Sequence, residues 1–149
     1  MVQETGLELE VTAGAFRSRE EAREVIDRTF EAVEADEGLA PGLRAASLQE
    51  SLILTDLDLT VTLSASDGDR CLDWSFDPAP PARITLTMES AVANSILQGA
   101  ESIGVAIARG RMRIDGDAAA ALVHLPATRL ICRHYLELIR RDYPHLVIR

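Results

Sequence analysis

Lysine is absent from this chain: all fifteen cationic side chains are arginine. That excludes Schiff-base chemistry, a lysine general base and a Walker-type phosphate loop. Cysteine is nearly absent too. Cys71 falls in a strand pattern and Cys132 in a helix pattern, so a disulfide framework is not expected and both read as small buried hydrophobes. Aromatic residues make up only 4% of the sequence. No uncharged apolar run approaches the ~20 residues that span a bilayer. The first residues, Met1-Val2-Gln3-Glu4, lack the basic start of a signal peptide, so a soluble, cytoplasmic protein is expected. Positive charge is in deficit as well. A net charge of -9 argues against a nucleic-acid partner and simple adsorption to anionic membranes, and the lack of a long apolar run against stable membrane insertion.

What is present suits one domain spanning 1–149, large enough to bury about two thirds of its unfolded surface. Residues 1–17 read as an N-terminal extension in which 6–12 alternate as a possible edge strand, able to pair with a second copy. Ser18 and Glu21 form a capping box. It opens a helix with Ala22, Val25, Ile26, Thr29, Phe30 and Val33 on its apolar face, and Gly38 is the expected stop. The opposite face, with Arg23, Glu24, Asp27, Arg28, Glu31 and Glu34, reads as solvated. A short helical turn is expected near Leu43 to Leu48.

Leu57, Leu59, Val61 and Leu63 share one face of the next strand pattern. Leu52 and Leu54 have the opposite parity, so a bulge or bend is expected near Thr55-Asp56. Asp67-Gly68 signals a hairpin into a strand carrying Leu72, Trp74 and Phe76, and Pro78, Pro80 and Pro81 an extended linker.

The stretch from Arg83 to Asp117 organises the rest. Ile84, Leu86 and Met88 alternate on one strand, and Met112 and Ile114 on another held between Gly110 and Gly116. Between them, residues 90 to 107 are small and aliphatic, broken at Gln98-Gly99, with Glu101 as the sole ionised side chain. A helix apolar nearly all round must be enclosed, or must line an apolar cavity. A short alanine-rich helix then reaches Leu122, and Pro126 opens a long final helix over 126–142 with His134, Tyr135, Leu138 and Ile139 on one face.

No chemistry-bearing constellation emerges. His124, His134 and His145 lack metal-ligand spacing, and His134 reads as a hydrogen-bonded structural histidine. In Cys132-Arg133-His134 neighbouring positions diverge on a helix, so the cluster does not simply make a nucleophile–base pair. No catalytic residue, metal ligand or cofactor is assigned.

Ile84-Thr-Leu-Thr-Met88, the helix ending Ile96-Leu-Gln-Gly99, and above all Gly110-Arg-Met-Arg-Ile-Asp-Gly-Asp117 resemble the sterol carrier protein type 2 family. The resemblance implies an α+β fold in which a mixed, mostly antiparallel sheet of about five strands is covered on one face by helices. It implies an apolar tunnel between the layers for acyl chains or sterols. Carried onto this chain, the lining is Trp74, Phe76, Leu86, Met88, Val92, Ile96, Ile103, Ile107, Met112 and Ile114, closed by Tyr135 and Leu138. The expected function is noncatalytic carriage of a lipid-like or other apolar small molecule. Alternatives are a homodimeric interaction module with a filled core and, lower, a small isomerase or hydrolase using Asp73 or Glu101 with His134.

Overall fold

In a computed structural model of the chain the described residues are 14–36, 49–65, 72–76 and 82–148, without the side chains of 118 and 120–127. The expected strand at 6–12, the turn near 43–48, the Gly38 stop, the Asp67-Gly68 hairpin, Cys71 and the proline linker lie outside them. The architecture is α+β: helix α1 (Arg19–Ala35), strands β1 (Gln49–Leu54), β2 (Leu59–Ala65), β3 (Leu72–Ser75) and β4 (Ile84–Met88), helices α2 (Ser90–Leu97) and α3 (Ile103–Ala108), strand β5 (Met112–Gly116), helix α4 (Ala118–Asp142), and a 3-10 turn at Pro144–Leu146.

The sheet order is β3-β2-β1-β4-β5, with only the β1–β4 pair parallel. The expected bend near Thr55-Asp56 is a full hairpin. The chain reverses through 55–58, Asp58 takes a left-handed φ of 49°, and Leu54 pairs with Leu59 and Leu52 with Val61. Reversal explains the parity change: in an antiparallel pair directly opposed residues share a face. Leu52 and Leu54 therefore join Leu59, Val61 and Leu63 on the inner face, next to Leu86 and Met88 of β4 and opposite Ile114 and Met112 of β5. The outer face carries Ser51, Thr60, Thr62, Thr85, Arg113 and Asp115.

Helix α1 buries the six residues its periodicity selects. Ser18 caps it by accepting from Glu21 N at 3.0 Å, and the Glu21 carboxylate accepts from Arg17 N at 3.0 Å. Its polar face is less solvated than expected. Asp27 accepts from Trp74 Nε1 at 2.8 Å, Glu34 from Leu72 N at 2.9 Å, and Arg23 covers the Phe76 ring at 4.7 Å. These bonds fix α1 across β3, and Phe30 meets Trp74 with ring centroids 5.6 Å apart. Helix α2 starts at Glu89 without a cap from its own side chain. Asp56 in the β1–β2 turn caps it instead, accepting from Ser90 N at 2.7 Å and Ser90 Oγ at 2.6 Å. A carboxylate there also suits the positive end of the helix dipole.

The expected break before the last helix does not occur. Helix α4 is continuous from Ala118, and Pro126 lies within it rather than at its first turn. Gly116 sets the entry to this helix: at φ 114° a side chain is strained, and a Cβ would collide with the Arg83 carbonyl. Helices α1 and α4 run antiparallel, tied at one end by Asp36 to His134 (3.0 Å) and further along by Arg28 to Asp142 (2.6 Å) and to Tyr143 Oη (3.1 Å). Two apolar clusters result. One lies between the sheet and α1, α2 and α3; the other joins Val25 to Tyr135, Leu138, Ile139, Tyr143 and Leu146.

Candidate ligand-binding hollow

The first cluster does not close over the middle of the sheet. A hollow of about 780 Å³ lies between the inner face and the helices, within the ~300–1,000 Å³ usual for small-molecule sites. Of the residues expected to line it, Leu86, Met88, Met112 and Ile114 border it from the sheet, Ile96 from α2, Ile103 and Ile107 from α3, and Tyr135 from α4. Trp74, Phe76, Val92 and Leu138 are placed elsewhere. Trp74 and Phe76 lie under α1 at the β3 edge, Val92 packs in the first cluster, and Leu138 belongs to the second.

Residues not foreseen complete the wall: Leu52, Val61, Leu63 and Ile84 from the sheet, Ile26, Thr29 and Phe30 from α1, Leu97 from α2, and Ile131 and Cys132 from α4. Two signals were available for them. The α1 stripe is plain as an apolar face, and Leu52 alternates with a parity that a chain reversal brings onto the same face as Val61.

Several polar groups on this wall are bound to the protein. Thr29 Oγ1 donates back to Val25 O at 2.7 Å, and Ser102 Oγ caps α3 by accepting from Val105 N at 3.1 Å. Glu101, whose side chain is 8% exposed, pairs with Arg111. Tyr135 Oη donates to Asn94 Oδ1 at 2.6 Å, and burial, with smaller contributions from Cys132 and Glu21, pushes the phenol above its usual range. Burial likewise pushes the Cys132 thiol up to about 11, so it stays protonated at neutral pH and behaves as an apolar group. His134 is bound to Asp36 and Glu101 to Arg111, so the structure does not join them as an acid–base pair. The wall is mostly aliphatic contact area, with Glu50 and Arg129 as further charged residues beside the Glu101–Arg111 pair.

Asn94 ties together the segments behind Tyr135. Fully buried on α2, it donates to Gly14 O at 2.6 Å and Leu146 O at 2.9 Å, and accepts from Tyr135 Oη at 2.6 Å and Gln98 Nε2 at 2.7 Å. One amide thereby holds α2, α4, the 3-10 turn and the segment entering α1.

Glu21 ties the same region: its carboxylate is 2.8 Å from His145 Nε2. Burial acts to raise its pKa, but the bonds from His145 and Arg17 N outweigh it and hold the group below the ordinary value of a glutamate. A depressed carboxylate stabilises the fold above its unfolded pKa, and the gain disappears as pH falls through the folded value. Urea midpoints measured from about pH 6 to about pH 3 should therefore fall less steeply for Glu21→Gln than for the native chain. Equal slopes would remove Glu21 from the acid response.

A five-stranded mixed sheet with helices over one face defines an α+β domain of the sterol-carrier type. The model of the SCP-2 sterol transfer family matches residues 30–124, and the chain belongs to that family. No curated protein sequence matches it. Solved structures show the same fold at low identity. The sterol carrier protein domain 2 of Helicoverpa armigera is 13% identical, with 74% of this chain covering 87% of that one at a TM-score of 0.58. A crystal structure of sterol carrier protein 2 is 15% identical, with 76% covering 95% at 0.56. The chain also spans 13% of the length of the sec-alkylsulfatase Pisa1 from Pseudomonas sp., with 55% of this chain matched at 18% identity and a TM-score of 0.49. Members of the family bind or transfer lipids and sterols. No described helix is long and apolar enough to cross a membrane.

Proposed function

We propose that this chain is a noncatalytic cytoplasmic carrier that holds a lipid-like molecule, an acyl chain or a sterol, in the hollow between sheet and helices. The observation that carries the reading is the hollow itself: about 780 Å³ of space walled mostly by aliphatic side chains, with the hydroxyls of Thr29 and Tyr135 turned to protein partners. A filled-core interaction module has no use for that space. In this reading Leu86, Met88, Ile96, Ile103, Ile107, Met112, Ile114 and Tyr135 touch the cargo, while Trp74, Phe76, Val92 and Leu138 support the wall. The energetics suit exchange. Each buried CH2 is worth ~0.8 kcal/mol against water, but a bilayer offers the same, so loading and release are nearly balanced.

Native mass spectrometry after incubation with mixed fatty acids and sterols tests it. A noncovalent adduct of lipid mass, lost on denaturation, is the expected result. An unaltered protein mass after that incubation would sink the carrier reading.

A further inference from the structure

Strand β5 ends the sheet: β4 lies on one side of it, and no described strand lies on the other. Its pairing with β4 fixes where its backbone groups point. By the same register Arg83 stands opposite Asp117 and accepts from Asp117 N at 3.1 Å, and hydrogen-bonded pairs alternate along an antiparallel ladder. Asp115 and Arg113 therefore bond to β4, while the N–H and C=O of Ile114, flanked by those of Met112 and Gly116, turn to the free edge. Such an edge is a ready template for another strand. Arg113 and Asp115 stand exposed along it, their side chains 73% and 57% in solvent.

The sequence along this edge is antisymmetric in charge. Reading outward from Ile114, Arg113 mirrors Asp115 and Arg111 mirrors Asp117, with the uncharged Met112 and Gly116 between them. A two-fold axis through Ile114 pairs that residue with its own copy and sets Arg113 against Asp115 of the second chain. In the neighbouring two-fold registers Arg113 faces Arg113 or Asp115 faces Asp115, and like charges directly opposed are destabilising. An edge built only to repel neighbours carries one sign of charge or a proline, whereas opposite signs two residues apart accept one register. Arg113 and Asp115 lie 2.8 Å apart within the strand, but an exposed pair of this kind is weak and is exchanged for the same pair between chains at little cost. Arg111 is held by Glu101 and Asp117 by Arg83, so the two inner charges carry the register.

We propose that a second copy of this chain docks along β5, antiparallel and centred on Ile114, joining the two five-stranded sheets into one. The antisymmetry is what selects a second copy over an unrelated strand, which needs charges complementary to these but no mirror relation within them. Directly opposed residues of an antiparallel pair share a face, so both inner faces lie on the same side and each α3, which packs on β5, comes beside the other. That gives a neighbour to the apolar surface α3 leaves in water: Ala106 is its only buried residue, and Val105 and Ile107 are each 42% exposed beside the exposed Gly104 and Ala108. Met112 and Ile114 border the hollow, so the pairing sets two hollows side by side across the axis, whatever each one holds.

Sedimentation equilibrium over a wide range of protein concentration tests this, with circular dichroism confirming that each variant is folded. The native chain should dimerise reversibly. Arg113→Asp leaves both inner edge positions acidic and Asp115→Arg leaves both basic, so each should weaken self-association about tenfold or more. One of these substitutions raises the net negative charge and the other lowers it, so general repulsion between chains cannot weaken both. Arg113→Asp/Asp115→Arg restores the antisymmetry with its signs exchanged and should regain native affinity. An equimolar mixture of the two single variants should form a heterodimer. A native chain that stays monomeric at every concentration overturns the proposal. So does a dimer that both single variants leave intact, or one that neither the double variant nor the mixture restores, since each places the contact elsewhere.

Discussion

Replacing Asn94 by alanine lowers unfolding free energy by about 3–5 kcal/mol, a large part of what a domain of this size possesses. The amide is fully buried and uses both donors and its carbonyl oxygen. Removing it leaves the Tyr135 hydroxyl and the Gly14 carbonyl without this partner in a region closed to bulk water, and each such group costs about 1–3 kcal/mol. Leu146 O is partly protected, because Gln98 Nε2 also donates to it at 2.7 Å.

Two further variants separate hydrogen bonding from volume. Asn94→Asp keeps the shape but turns an acceptor toward two carbonyls, and at neutral pH should cost at least as much as alanine. Tyr135→Phe removes one hydroxyl while Gln98 still serves Asn94 Oδ1, so the loss should be only about 1 kcal/mol. Urea unfolding followed by the single tryptophan, Trp74, which stacks near Phe30, measures all three. A cost below about 1 kcal/mol for Asn94→Ala would mean that the four bonds do not hold these segments together.

Ile96→Trp and Ile114→Trp abolish most of the binding of an apolar probe while leaving the protein folded. They project into the hollow from opposite walls, α2 and β5. Each should weaken a fluorescent fatty acid at least about tenfold, equivalent to roughly 1.4 kcal/mol. The accompanying change in stability discriminates a hollow from a packed interior. Forcing an indole into a filled core costs about 1–3 kcal/mol, whereas a ring entering empty space strains little. The same substitution at Ile53, on the outer face of β1, should leave probe affinity intact. Normal binding in both inner-face variants would remove the hollow from the function, and a large stability loss in both would show that it is filled.

Much of the fold was legible in residue order because burial imprints periodicity. The α1 stripe from Ala22 to Val33 is the buried face, and the alternations at Ile84-Leu86-Met88 and Met112-Ile114 mark the inner face of β4 and β5. The Gly110–Asp117 segment carried the family, since Gly116 occupies a conformation where any Cβ meets the Arg83 carbonyl. Eight of the twelve expected lining residues border the hollow for the same reason: facing direction follows from parity once the element is known.

Tertiary structure decided the rest. Parity alone does not separate a bulge from a hairpin, since both reverse the facing of Leu52 and Leu54; pairing with Val61 and Leu59 made it a hairpin. Charged positions on α1 have helical spacing whether solvated or bonded, and only the approach of β3 brought Trp74 and Leu72 to Asp27 and Glu34. An apolar helix pair is expected to be enclosed or to line an apolar cavity; Ile103 and Ile107 border the hollow, while Val105 stands half in solvent. Periodicity reports which side of an element is apolar, whereas enclosed volume depends on how far apart the layers come to rest, and that is set by side chains distant in sequence meeting across the gap.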